Sequence, residues 1–157
     1  MRITNKNELP DTFMRFDKVH AYSKGESDIS VTTLIDSPKI SILKKEHREN
    51  LSEDISDRLF SILGTAVHNI LQDGASEDEI PEIRMYTDVD GVKVGGQIDL
   101  LSPVQGGFRI SDYKTCGAYT LTANPDGTKP EWASQLNLYA EIAERNDYKI
   151  VELEVVA

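Results

Sequence analysis

Two acids and one lysine on neighbouring predicted strands could together carry out metal chemistry. Asp99 belongs to the run Gly95–Leu101, whereas Asp112 and Lys114 belong to the run Arg109–Thr115. Because strand side chains alternate between faces, Asp112 and Lys114 point to the same side. If the two runs pair as a hairpin, Asp99 lies near Asp112, with the lysine beside both. Close carboxylates repel each other unless a cation holds them, and a divalent metal with oxygen ligands is the natural cation.

The lysine gives this set a second chemical capacity. Lys114 can position or activate a water molecule, or neutralise negative charge that develops in a transition state. Metal-assisted hydrolysis is therefore the chemistry that these three residues predict.

Length and composition are those of an ordinary folded chain. With 157 residues, 28% charged and 39% hydrophobic, a single domain with its own core is the default. The one cysteine, Cys116, excludes an internal disulfide and any zinc or iron–sulfur site built on several cysteines. We see no apolar run near eighteen residues and no signal peptide, so we expect a cytoplasmic protein without membrane contact.

The net charge of -10 argues against nucleic acid, since phosphate binding needs a basic face. However, a local basic patch can coexist with an acidic remainder. Residues 39–50 are the most basic stretch of the chain, with four cationic side chains: Lys39, Lys44, Lys45 and Arg48. This stretch is either the solvated face of a helix or a patch that contacts phosphates.

The N-terminal part divides into an arm and the start of a core. Residues 1–28 are mixed and polar without a sustained period, which predicts a loosely packed arm. The core is expected over residues 29–157. Ser30 is a plausible N-cap for a short helix, and Pro38 interrupts that helix or begins the next one. Because the chain ends on a predicted strand, we expect a truncated piece.

Residues 54–72 show the clearest helical pattern, with Asp54 or Ser52 as the cap. Apolar residues share one face at helical spacing, while the other face carries Gly64 and His68. A glycine inside a helix costs about 1 kcal/mol relative to alanine, so something is expected to pack closely at Gly64. His68 is either a ligand or a structural histidine.

A three-strand antiparallel meander follows, with strands over residues 82–89, 92–101 and 108–114. Asp90-Gly91 is a strong signal for the first hairpin turn, and Gly95-Gly96 indicates a bulge or a close backbone approach. Residues 117–130 are predicted as a loop, either a flap over a site or a disordered segment. A second helix over 131–145 and a final strand over 150–156 complete the order.

In this order of elements the chain resembles the RecB-type branch of the PD-(D/E)XK nucleases. The resemblance covers about residues 30–156 and depends on four motifs: Gly64–His68, Gly96–Asp99, Asp112–Lys114 and Gln135–Tyr139. Any one of them is weak, but four in the right order on the right elements are much more specific. The fold implied is α+β and restriction-endonuclease-like, with helices flanking a central sheet.

The resemblance implies a role for each matching residue. Three residues would bind the catalytic metal: His68, Asp99 and Asp112. Lys114 would be the catalytic lysine, and Gln135 with Tyr139 would lie near the DNA and support the site. Glu82 opens the first strand and could add an outer carboxylate, but no motif match supports it, so we do not include it among the predicted ligands.

The function implied is a deoxyribonuclease that depends on Mg²⁺ or Mn²⁺. We expect an exonuclease of phage or bacterial recombination and repair, with DNA as its partner and the basic 39–48 stretch holding the backbone. An iron–sulfur cluster is not expected, because its cysteines are missing. Two alternatives stay open: a nuclease-fold DNA-binding module without activity in isolation, and an unrelated acidic α+β protein. A homo-oligomer or a recombination partner protein is also left open.

Overall fold

The chain folds as a mixed α+β structure. The computed structural model describes residues 1–19, 23, 25–123 and 129–157. Its strands are β1 (Arg2–Thr4), β2 (Ile29–Ser30), β3 (Ser52–Asp54), β4 (Ile80–Val89), β5 (Val92–Val104), β6 (Gly107–Tyr113) and β7 (Ile150–Val156). Its helices are α1 (Asp11–Val19), α2 (Val31–Ile35), α3 (Pro38–Glu46), α4 (Leu59–Asp73), α5 (Ala118–Thr122) and α6 (Pro130–Glu144), with a 3₁₀ turn over Ile55–Arg58.

The larger sheet is organised around β5. Strand β4 pairs antiparallel along one edge of β5. The other edge pairs antiparallel with β6 near its end and parallel with the two-residue β2 near its start. Strand β7 then adds parallel to β6. This arrangement confirms the predicted meander, the final strand and the α+β class with helices against a central sheet.

Turn chemistry sets the register of the first hairpin. Asp90 and Gly91 both have positive φ, at 52° and 81°, as a two-residue hairpin turn of the type I′ class requires. The pairing then runs without a shift from Val89↔Val92 to Ile80↔Leu101. The position of Asp99 relative to both neighbouring strands follows from this register.

The core lies between the sheet and α6. Buried side chains of β5 and β6 meet those of α6: Ile98, Leu101, Ile110, Leu136, Tyr139 and Ile142. Burying a side chain of this size stabilises the fold by about 1.5–3 kcal/mol. Gly96 permits a close contact between β5 and α6, because a Cβ there would lie 2.6 Å from the ring of Tyr139. The close backbone approach predicted at this glycine is therefore confirmed.

The N-terminal arm is better ordered than its composition predicts. Strand β1 pairs parallel with β3. The carboxylate of Asp54 accepts hydrogen bonds from the backbone N–H of Lys6 at 2.7 Å, from Thr4 Oγ1 at 2.9 Å and from the backbone N–H of Ser56 at 3.2 Å. It thus caps the 3₁₀ turn before α4 and ties residues 4–6 to it. The prediction of a loosely packed arm is wrong for this part.

Helix α4 turns its polar face toward the sheet. Within α4, all of which is described, no side chain is fully buried, and Leu63 and Ile70 are 52% and 70% exposed. The apolar face expected from helical spacing therefore lies largely in solvent. Gly64 lies on the inward side, where a Cβ would come within 3.0 Å of Thr115 Oγ1. This is the close packing predicted at that glycine.

The other predicted elements have clear outcomes. Ser30 caps α2, accepting a hydrogen bond from Thr33 N–H at 3.2 Å, and Pro38 begins α3. Part of the predicted loop 117–130, for which a flap and a disordered segment were the alternatives, is the short helix α5, and residues 124–128 of that loop lie outside the described residues. Among the described helices, none is both long enough and apolar enough to cross a lipid bilayer.

Candidate metal centre

Three carboxylates lie in one row across neighbouring strands. Pro81 pairs with Leu100 and Ile83 with Ile98, so Glu82 of β4 lies opposite Asp99 of β5. On the other side, the pairing of β5 with β6 ends at Leu100 and Ser111, and Asp99 Oδ2 accepts a hydrogen bond from the backbone N–H of Tyr113 at 2.8 Å, next to Asp112 of β6. The hairpin argument from the sequence therefore finds Asp99 beside Asp112, and the structure adds Glu82.

His68 lies over two of these acids from α4. Its Nδ1 is 3.3 Å from Glu82 Oε1 and 3.5 Å from Asp99 Oδ1. Its Nε2 is 3.1 Å from the backbone oxygen of Tyr113, a group that can only accept a hydrogen bond. Glu82 also accepts from Nδ1, so the charged imidazolium, with a proton on each nitrogen, matches both partners. A cation bound at Nδ1 would replace the Nδ1 proton and leave the Nε2–H bond to Tyr113 in place. Such an outer hydrogen bond is how ligating histidines are held in proteins.

The titration of these groups reflects their crowding. Burial, and then the nearby Asp112 carboxylate, raise the pKa of Asp99 to about 6. Burial also raises the pKa of Asp112, against the opposing effect of Lys114. The hydrogen bond between His68 and Glu82 raises the pKa of the histidine and lowers that of the glutamate. A cation among these groups would favour the charged carboxylates and the neutral imidazole.

A second chain of contacts leads from Asp112 to α6. Lys114 Nζ lies 2.7 Å from Asp112 Oδ2 and donates to Gln135 Oε1 at 3.0 Å. Gln135 Nε2 in turn donates to the hydroxyl of Tyr139 at 2.8 Å. The ring of Tyr139 belongs to the core, while its hydroxyl accepts a hydrogen bond from the buried amide of Gln135. The lysine is thus held from two sides, by a carboxylate and by an amide.

Glu82 is supported from its own sheet. Gln97, opposite Arg84 on the paired strand, donates a hydrogen bond from Nε2 to Glu82 Oε2. Arg84 donates to the amide oxygen of the same glutamine. These contacts orient the Glu82 carboxylate with one oxygen toward His68 and the other toward Gln97.

The predicted site residues separate into one cluster and one surface patch. A pocket of about 240 Å³, which we call the metal pocket, is lined by all six residues to which the sequence analysis assigned a catalytic or metal-binding role: His68, Asp99, Asp112, Lys114, Gln135 and Tyr139. Glu82 lines the same pocket. The four basic residues, Lys39, Lys44, Lys45 and Arg48, are exposed on or just after α3 and do not line it.

The residues present fit a divalent metal. Among the described residues, ligand atoms of His68, Glu82 and Asp99 all lie within 4.8 Å of one another. One imidazole nitrogen and several carboxylate oxygens suit a hard cation. This group differs from the predicted one, because Glu82 belongs to it while Asp112 is paired with Lys114. The sequence signal that could have found Glu82 is its place opposite Asp99 once the Asp90-Gly91 turn sets the register.

Comparisons with known proteins bear on the family and the fold. The family model of the PD-(D/E)XK nuclease superfamily matches residues 75–155, just over half of the chain. The crystal structure of SSO0001 is similar in fold, with a TM-score of 0.63 and 18% sequence identity over 92% of this chain and 71% of that one. Comparison with curated proteins found no match.

The mixed sheet, with its carboxylates and lysine gathered in one pocket, is the fold and site of a nuclease-type hydrolase. The chain belongs to the PD-(D/E)XK nuclease superfamily. Membership implies a nuclease that acts on DNA with divalent metal ions, in agreement with the grouping of His68, Glu82 and Asp99.

Proposed function

We propose that this protein is a RecB-type exonuclease that hydrolyses phosphodiester bonds of DNA with Mg²⁺ or Mn²⁺, in phage or bacterial recombination and repair. The observation that carries the proposal is the adjacency of two groups in one pocket. A histidine–carboxylate group suited to a metal lies beside a lysine that is anchored by Asp112 and Gln135.

Each group has a distinct task in hydrolysis. His68, Glu82 and Asp99 would hold the cation, with Asp112 beside them in the same pocket. When bound, Mg²⁺ or Mn²⁺ would polarise the scissile phosphate and lower the pKa of the attacking water. Lys114 would stabilise the negative charge that develops on the phosphate oxygens, a role that requires its ammonium to be fixed in advance. Its contacts with Asp112 and Gln135 provide that fixation.

The DNA backbone would approach along α3. This helix follows α2 closely in the chain, and Val31 and Thr32 of α2 line the metal pocket. Contacts to phosphates set position without reading the base sequence, so we expect cleavage to depend on DNA ends rather than on sequence. Lys39, Lys44, Lys45 and Arg48 are the residues proposed for these contacts.

The direct test is a nuclease assay on matched linear and covalently closed circular DNA with Mg²⁺, Mn²⁺ or EDTA. We expect metal-dependent loss of the linear DNA while the circle stays intact. Cleavage of both forms would make the enzyme an endonuclease. DNA binding without cleavage in any metal would indicate the DNA-binding module instead.

The lysine gives the assay its internal control. Lys114→Met removes the ammonium and keeps the chain length, so we expect the cleavage rate to fall by about 10²–10³-fold. Lys149→Met changes an exposed lysine outside the pocket and should cleave like the wild type. Full activity of Lys114→Met would exclude the proposed mechanism.

A further inference from the structure

A second groove opens directly beside the metal pocket. We call it the α4 groove; it has a volume of about 670 Å³, within the range of small-ligand sites. Its walls include an aromatic ring, hydroxyls and amides: Phe60, Ser61, Thr65, Asn69, Gln97 and Thr115. The groove shares His68, Glu82 and Gln97 with the metal pocket. A ligand in the α4 groove is therefore adjacent to anything bound at the metal.

The α4 groove lacks the positive charge that binding of a phosphate backbone requires. Among the described residues that line it, none is a lysine or an arginine, and Glu82 contributes a carboxylate. Neutral hydroxyls and amides are instead the partners of groups that both donate and accept hydrogen bonds. The edge of a nucleobase is such a group, and its faces are apolar.

Phe60 supplies an aromatic surface on which the apolar face of a base can stack. Its side chain is 63% exposed although it lies at the groove. An aromatic ring can stack on any base, because every base has a π-face, and this interaction recurs in proteins that bind single strands. Leu63 lies three residues further along α4 and is similarly exposed, but it does not line the groove.

We propose that the α4 groove binds a nucleobase of a single-stranded DNA end, with Phe60 stacking on its face and the amides of α4 contacting its edge. This proposal rests on the proposed function, since it places the base of the nucleotide next to the scissile phosphate in the α4 groove. It makes the unpaired strand the preferred substrate, because a base within a duplex is already stacked and paired.

Affinity for a fluorescent single-stranded oligonucleotide tests the proposal without requiring cleavage. Fluorescence anisotropy is measured with the full chain and Ca²⁺ in place of Mg²⁺. Phe60→Ala should weaken binding by about 5- to 100-fold, the range for loss of one stacked base. Phe60→Trp should bind at least as well as the wild type, and Leu63→Ala should be unchanged.

A fully abasic oligonucleotide of the same length separates stacking from other effects. It has no base to stack, so wild type and Phe60→Ala should bind it equally. Equal affinity of the two proteins for the normal oligonucleotide would overturn the proposal, and so would equal losses on both oligonucleotides or in Leu63→Ala. Failure of the wild type to cleave any DNA would contradict the proposed nuclease function, while the anisotropy comparison would still decide the groove.

Discussion

Glu82 occupies the left-handed region of backbone conformation, with φ at 50°, inside a paired strand. A non-glycine residue held there costs of the order of 1–3 kcal/mol, and such strain concentrates at functional sites. At Glu82 the surroundings compensate, because Gln97 and His68 both bind the carboxylate. The distortion therefore accompanies a carboxylate aimed at the proposed cation.

The first prediction is that Glu82 is a metal ligand. Glu82→Gln should weaken Mn²⁺ binding at least about 10-fold, because the amide loses the negative charge that a hard cation prefers. Isothermal titration calorimetry measures this, with Asp99→Ala as the positive control. Glu79→Gln changes a nearby acid that bonds Ser76 and Ser102 and should bind Mn²⁺ normally. Unchanged affinity in Glu82→Gln would leave Glu82 only as the partner of His68.

The second prediction concerns the hydroxyl of Tyr139. It accepts the amide hydrogen bond that orients Gln135 toward Lys114. Tyr139→Phe should lower the cleavage rate, because the amide loses its orientation. It should also lower stability by about 1 kcal/mol, as expected when one buried hydrogen bond is lost. Steady-state kinetics and thermal unfolding measure the two effects.

Tyr148→Phe is the matched control. Tyr148 packs on Phe108 away from the pocket, so this variant should cleave DNA like the wild type. Gln135→Ala should reduce cleavage at least as much as Tyr139→Phe. Wild-type activity in both Tyr139→Phe and Gln135→Ala would mean that α6 supports only the core and not the reaction.

At the scale of elements, local chemistry predicted the sheet well. The Asp90-Gly91 turn is a signal that acts over a few residues, so the sequence around it was sufficient to predict the first hairpin. Proline at the start of α3 and the cap at Ser30 are equally local signals. This register places Asp99 one residue before the end of the β5–β6 pairing, close to Asp112 in the same pocket.

The orientation of α4 could not be predicted in the same way. Helical spacing shows which residues share a face, but it does not show which face meets the sheet. Here the side that carries Gly64 and His68 turns inward, since the histidine contacts Glu82 and Tyr113. The pairing of β1 with β3 joins segments about fifty residues apart, which no local pattern indicates.

The third prediction concerns the junction formed by Asp54. Hydrogen bonds, first from the backbone of Lys6, lower the pKa of Asp54 from 3.8 to about 2. The folded state therefore favours the carboxylate, so its stabilising effect is complete above pH about 4 and is lost as the pH falls toward 2. Asp54→Asn should unfold at a lower temperature than the wild type near neutral pH.

Thermal unfolding across this pH range provides the check. The difference between wild type and Asp54→Asn should shrink as the pH falls from about 4 to about 2. Asp57→Asn changes an exposed acid in the same 3₁₀ turn and should unfold close to the wild-type temperature near neutral pH. A pH-independent difference for Asp54→Asn would mean that the carboxylate charge does not stabilise the junction.

At the scale of the whole molecule, the charge distribution decides how DNA can be bound. The chain has 27 acidic and 17 basic side chains, for a net charge of -10, so long-range attraction to phosphates is absent on average. Some of the acids are gathered at the metal pocket, where a cation would offset them. Binding must then depend on a local basic surface, and α3 with Arg48 is the surface proposed.

The fourth prediction is that this surface determines the salt dependence of DNA binding. Each lysine or arginine that neutralises a phosphate releases counterions, so its loss lowers the slope of log K against log salt by about 0.7 for a single strand and 0.9 for a duplex. The double variant Lys45→Gln/Arg48→Gln should therefore lose about two such increments, with cleavage at saturating DNA unchanged. Lys149→Gln removes the same kind of charge from an exposed position before β7 and should keep the wild-type slope. Anisotropy titrations at several salt concentrations measure both slopes; an unchanged slope in the double variant would mean that phosphates are contacted elsewhere and that α3 is only a solvated helix face.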